Sequence, residues 1–327
     1  MNHNGSLGTA KRLVEAARDA GADAVKFQAF RTDRLVTRGA PKAAYQEEHT
    51  GAGGQHDMLK ALELGPDQFR ELSAFSERAG IPFLASPFDP DSLAMLLELG
   101  VPALKLGSGE LTDIPLLRKA AQGGKPLIVS TGMADENEIA EALSAIEAAA
   151  NPAPAVVLLH AVSSYPCPLA EANVRAVAAL AATFGRPVGY SDHTVGEAAC
   201  LAAVALGACV IEKHLTLDQG MEGPDHAASM EPSAFSDLVR KIRALPAILG
   251  SGEKRPQRSE LATRAAARKS LVADCDISAG TVLTPKMVAC KRPGTGLAPG
   301  KLWDYLGRVA KRDIRQDTLL SEEMFEV

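Results

Sequence analysis

AVVLLHAVSSYP (155–166), PVGYSDHT (187–194) and CVIEKHLTL (209–217) decide the fold. Each opens on apolar or β-branched residues and turns polar at its end. Stretches of helical periodicity near 170–183 and 196–206 separate them. Such alternation marks a parallel sheet with crossover helices. Working outward, ADAVKFQ (22–28), IPFLASPF (81–88), ALKLGSGE (103–110) and PLIVSTGM (126–133) read in the same way. Further helices are expected near 8–20, 66–79, 90–99, 113–122, 135–149 and 232–248, with Gly and Pro between the elements.

The tally is seven strands and eight helices, with a helix first. A (β/α)8 TIM barrel needs eight strands, each preceding its helix, so the expected fold is such a barrel lacking its first strand. A doubly wound open sheet would usually carry a glycine-rich turn after its first strand, and the chain has no GxGxxG.

Past residue 250 the composition changes. SGEKRPQRSELATRAAARKS (251–270) is polar and basic, and residues 251–267 read as a linker with a helical piece. Short alternating segments follow: KSLVADCDI (269–277), TVLTPKMVACKRPGTG (281–296) and GRVAKRDIRQDTLL (307–320). Together they predict a compact second domain over 268–327, near the lower size limit for independent folding. The large domain is expected over 1–250.

Composition excludes several classes. A formal net charge of −5, with 35 basic residues dispersed among 40 acidic ones, gives no attraction to a nucleic-acid backbone, so no nucleic-acid partner is expected. Five cysteines without a CxxC pair argue against a disulfide framework and for a reducing cytoplasm. MNHNGSLGTAKRL lacks an apolar signal core, and no run approaches about 18 apolar residues, so a soluble, cytoplasmic protein with no membrane partner is expected.

In a barrel of this kind the strand C-termini converge on one mouth, which carries the chemistry. The trailing residues of the seven runs are chemically capable: Lys26 and Gln28, Ser86, Lys105 with Ser108 and Glu110, Ser130 and Thr131, Ser163 to Tyr165, Asp192 and His193, Lys213 and His214. His193 and His214 close successive strands. Two imidazoles side by side suit a divalent metal with positions left for water and substrate. His160 lies further from its strand end and is read as structural; His49 and His56 sit in a Gly-rich loop and are read as solvated. Buried lysines need anions, so Lys26 and Lys105 require either a protein carboxylate, such as Glu110 for Lys105, or a substrate phosphate and carboxylate.

With these residues placed, NHNG (2–5), GADAVKFQ (21–28), SPFD (86–89), KLGSGE (105–110), STGM (130–133), SSYP (163–166), GYSDHT (189–194), CVIEKHLTLD (209–218), GPDHAAS (223–229) and KRPGTG (291–296) occur in order over nearly the whole chain. The set resembles the N-acetylneuraminate synthase family, including legionaminate synthases. The resemblance implies a metal-assisted condensation of phosphoenolpyruvate with an N-acylated amino sugar, N-acetylmannosamine or a 2,4-diacetamido-6-deoxy analogue. It also implies a C-terminal antifreeze-like (SAF) domain. By motif, Lys26, Lys105, Ser108, Ser130, Ser163 and Ser191 would hold phosphoenolpyruvate. His193 and His214 would hold Mn2+ or Mg2+. Gln28, Glu110, Tyr165 and Asp225 would face the sugar. Arg292 would reach the partner's site in a homodimer.

Family members usually open on a strand ahead of NHNG that ends in a glutamate, which agrees with the strand count. The chain is therefore expected to be truncated at its start. Two alternatives stand beside the synthase: another phosphoenolpyruvate-dependent sugar-acid synthase, disfavoured by the KRPGTG domain, and a non-catalytic sugar-binding or scaffold protein lacking its first strand. Nothing in the residues selects one amino sugar.

Overall fold

The computed structural model describes residues 1–326; Val327, the last residue of the expected second domain, lies outside the described residues. Two compact units divide at Gly250 and Ser251, and each is described by itself.

The first unit is built on seven parallel strands in sequence order: β1 (Val25–Ala29), β2 (Phe83–Pro87), β3 (Leu104–Leu106), β4 (Leu127–Ser130), β5 (Val156–Ala161), β6 (Val188–Asp192) and β7 (Ile211–Lys213). Each expected run supplies one. Among the described residues β1 pairs only with β2 and β7 only with β6, so the ring stays open between β7 and β1, a barrel short of one strand. A cavity of about 450 Å3 runs through this opening, walled by Leu13 and Ala17 on one side and Leu238 and Ile242 on the other.

Eight helices lie at Leu7–Asp19, Pro66–Ala79, Pro90–Glu98, Ile114–Gln122, Glu136–Ala149, Ala176–Phe184, Ala198–Ala205 and Pro232–Leu249. Their starts are chemically specified. Asp89 accepts from the backbone N–H groups of Asp91 and Ser92, and Asp135 and Glu138 form a capping box. Asp89 also accepts from the Arg31 N–H at 2.7 Å, so the aspartate of SPFD anchors a loop and caps a helix. Between sheet and helices lies one continuous core that includes Leu72, Leu96, Leu104, Leu117, Leu127 and Ile146. Burial of each such side chain stabilises the unit by about 1.5–3 kcal/mol.

The region of His49 and His56, read from sequence as a Gly-rich loop, carries two short helices, Ala44–Thr50 and Gln55–Leu62, preceded by a third at Thr32–Leu35. Helices of one or two turns show too few periodic positions to be seen in a window and depend on packing. Here Phe30, Leu59 and Leu62 form a small satellite core.

In the second unit the linker region carries a helix, Leu261–Ala267. An antiparallel pair follows, β8 (Ser270–Ala273) with β9 (Val288–Lys291), around a core that includes Leu271, Leu283, Tyr305, Leu320 and Phe325.

Candidate active site

Strand alternation sorts the side chains at the barrel mouth. Ser191 and Glu212 are register partners on β6 and β7, and the Ser191 hydroxyl donates to Glu212 at 2.9 Å. Glu212 reaches 3.7 Å from the ammonium groups of both Lys26 and Lys105. Burial alone would raise its carboxyl, but the two cations outweigh burial and hold it at about 2. Lys105, 3 % exposed, is brought down to about 8 by burial although Glu212 opposes the shift. Its Nζ donates to the Ser130 hydroxyl at 2.7 Å and the Leu106 carbonyl at 2.9 Å. Glu212 is thus the counter-ion of both lysines. The sequence suggested Glu110 for Lys105, yet Glu212 stands two residues before His214 and so shares its face, a signal available from alternation alone.

Beside the lysines is a cradle of neutral donors. The Gly132 N–H donates to the Ser108 hydroxyl at 3.1 Å. A Cβ on Gly132 would lie 2.5 Å from the Ser163 hydroxyl and 2.7 Å from that of Ser108, so only glycine lets these groups converge. Among the described residues the Ser163 hydroxyl is buried without a partner, as is one oxygen of Glu110, whose carboxyl burial pushes up to about 7. Gly132 was not among the expected site residues. Thr131 is spent on structure, donating to the Leu159 carbonyl at 3.1 Å.

His193 and His214 follow β6 and β7 with ring centroids 5.4 Å apart. Burial lowers the basicity of both, and of His214 strongly, so both imidazoles are neutral near pH 7. The Val162 carbonyl lies 2.7 Å from Nδ1 of His193, which places the proton there and leaves Nε2 as a lone-pair donor. Two neutral, adjacent imidazoles fit a divalent cation whose remaining positions are filled by water or substrate. Among the described residues no cluster of three His, Cys, Asp or Glu side chains has metal-holding geometry, so a closed all-protein cage is not formed.

Tyr165 packs against His193 at 4.2 Å between centroids and against Tyr45, of the short helix Ala44–Thr50, at 5.2 Å. Asp225 is buried, its carboxyl pushed up by burial and acting on both tyrosines. Its loop is tied down by Asn2, whose side-chain amide donates to the Leu215 carbonyl and the Ser229 hydroxyl, and by Asn4, which meets His226 at 3.1 Å. NHNG therefore acts as a clasp on the loop after β7. Gln28 faces inward on β1, half-buried, as the direct register partner of Ser86 on β2.

Two expected mouth residues do not lie there. Asp192 and Lys213 point to the opposite face of their strands, toward the helix Ala198–Ala205, because they alternate with the inward Ser191, His193, Glu212 and His214. His160 bonds the Ala172 carbonyl at 3.0 Å and stacks on Tyr190. His56 is held between Asp33 and Asp57. Arg292 lies exposed in the second unit. No helix among the described residues is long and apolar enough to cross a membrane.

Comparison with known proteins gives this geometry a family. Residues 13–254 match the NeuB family and residues 268–326 the SAF domain. The chain is 42% identical over 329 residues to an N,N'-diacetyllegionaminic acid synthase of Legionella pneumophila, covering 100% of this chain and 92% of that protein. It is 34% identical to human N-acetylneuraminate-9-phosphate synthase, covering 100% and 90%. A crystal structure of an N-acetylneuraminic acid synthetase from Leptospira borgpetersenii, in complex with citrate, superposes with a TM-score of 0.69 at 38% identity, covering 80% of this chain and 86% of that one. The chain belongs to the NeuB family of phosphoenolpyruvate-dependent nonulosonic acid synthases, transferases that here carry an SAF domain after the incomplete barrel.

Proposed function

We propose that this chain condenses phosphoenolpyruvate with an N-acylated mannosamine-type sugar, N-acetylmannosamine or a 2,4-diacetamido-6-deoxy analogue, releasing phosphate and a nonulosonic acid. The observation that carries this reading is the gathering of Lys26, Lys105, Ser130 and the Ser108–Gly132–Ser163 cradle beside two neutral imidazoles at one mouth.

Lys26 and Lys105 are assigned to the phosphate and carboxylate of the enol phosphate, with Ser108, Ser130, Ser163 and Ser191 as neutral donors. Gln28, Tyr165, Glu110 and Asp225 are assigned to the sugar. His193 and His214 are assigned to a divalent cation, Mn2+ or Mg2+, which when bound supplies Lewis acidity toward the sugar aldehyde. The enol C3 then attacks the aldehyde carbon, the aldehyde oxygen takes a proton to become a hydroxyl, and water adds at C2. The tetrahedral adduct collapses with loss of phosphate, leaving the 2-keto acid. Lys26 and Lys105 hold the charge that develops on the phosphate, in a mouth from which much water is excluded. Glu110, pushed up to about 7, is suited to move a proton near neutrality.

The reading further takes residues 251–267 as a linker, 268–327 as the SAF domain, and a cytoplasmic homodimer in which Arg292 completes the site of the partner subunit. The relatives differ in the sugar acid they are named for, so the sugar is settled by assay. Phosphate release is measured with phosphoenolpyruvate against a panel of acylated hexosamines and 6-deoxy-diamino sugars. Turnover that is abolished by chelator and by His214→Ala supports the proposal; no turnover with any sugar overturns it.

A further inference from the structure

Asp192 and Lys213 stand immediately before the two mouth histidines and are direct register partners on β6 and β7. Their carboxylate and ammonium meet at 2.6 Å with side chains 0% and 1% exposed. The pair is fully supplied with further partners. Asp192 accepts from the Thr194 N–H at 2.9 Å, the Cys200 thiol at 3.0 Å and the Tyr190 hydroxyl at 3.2 Å, while Lys213 also donates to the Thr194 carbonyl at 2.7 Å.

β7 is only three residues long and pairs on one side alone. Main-chain pairing therefore gives its end little purchase. A strand can fray or slip at such an edge, and a shift of one residue would turn His214 away from His193. The Asp192–Lys213 pair pins the last rung of the ladder, one residue before each imidazole, and its strong directional bonds fix both register and twist there.

We propose that Asp192 and Lys213 are positioning residues that set the spacing of His193 and His214 for a shared divalent cation. This rests on the reading that the two imidazoles bind such a cation. It gives the pair a purpose that stability alone does not, since a buried ion pair is often no more stabilising than well-packed apolar side chains of similar volume.

The test is a calorimetric titration of Mn2+ alone into the full chain, without substrates. The double variant Asp192→Leu/Lys213→Met removes the charges and keeps much of the volume; should it fail to fold, Asp192→Asn/Lys213→Met keeps an acceptor for the Thr194 N–H and the Tyr190 hydroxyl while removing the bond between the two strands. The expected result is a Kd for Mn2+ weakened by about 10–100-fold, the usual effect of losing groups that orient metal ligands. A remote core variant, Leu143→Ala, serves as the destabilised control and should bind Mn2+ as the parent does. Equal affinity in parent and double variant overturns the positioning role while the metal reading stands, and so does equal weakening in Leu143→Ala. A parent that binds no Mn2+ overturns both.

Discussion

Glu212 Oε1 stands 3.7 Å from Lys105 Nζ, and its other oxygen is equally far from Lys26. A carboxylate thus occupies the electrostatic centre of the cradle assigned to an anionic substrate.

Glu212→Gln should leave the buried Lys105 ammonium, and the partly exposed one of Lys26, without their counter-ion. The expected loss of stability is about 3–5 kcal/mol, read by urea unfolding, as for removal of one partner of a buried pair. Inorganic phosphate should recover more of that loss in the variant than it adds to the parent, because an anion then replaces the missing charge.

Glu110 should make stability depend on pH. Its folded carboxyl, at about 7, lies above the ordinary 4.5, so between these values the folded protein holds a proton that the unfolded chain has released. The contribution is fully present below pH 4.5 and is lost as pH rises through 7. At about 1.36 kcal/mol per unit it amounts to ~3 kcal/mol. The difference in urea midpoint between the parent and Glu110→Gln should shrink as pH rises from 4 to 8, while the buried neutral imidazoles of His193 and His214 raise the stability of both proteins over the same range.

Gly132→Ala should damage binding of the enol phosphate with little change in fold. The new methyl would drive apart the Ser108 and Ser163 hydroxyls. Loss of about one charge-assisted hydrogen bond predicts a KM for phosphoenolpyruvate raised by roughly tenfold or more, measured by steady-state phosphate release.

Lys105→Met should weaken phosphoenolpyruvate binding by about 10–100-fold, since hydrogen bonds to charged groups contribute about 1.5–3 kcal/mol. The same substitution frees Glu212 from one cation, so its carboxyl should titrate higher, which 13C-labelled glutamate would report by NMR.

The fold was legible because each strand run ends where its apolar stretch ends, from Val25 to Lys213, and because the helix caps and prolines punctuate the intervals between. The open ring was legible too, as a helix-first chain one strand short of eight. Strand-end side chains do gather at one mouth, but the sequence reading sorts them imperfectly. Asp192 and Lys213 were placed at the mouth with their neighbours, whereas alternation turns them to the outer face. Glu212 and Gly132 are absent from the sequence reading, the glycine because it declares only the space it leaves, which depends on Ser108 and Ser163 from other segments. The short helices around Tyr45 could not be read, since their stability comes from packing and not from periodicity.

The gap between β7 and β1 makes the catalytic wall a jaw instead of a hoop. Lys26 sits on one lip and Glu212 on the other, so the two halves of the anion cradle are drawn together by charge where neighbouring strands would share backbone bonds. The width of the cradle is therefore tied to whatever anion sits inside. A bound phosphate that competes with Glu212 for Lys26 also loosens the grip that set its own seat.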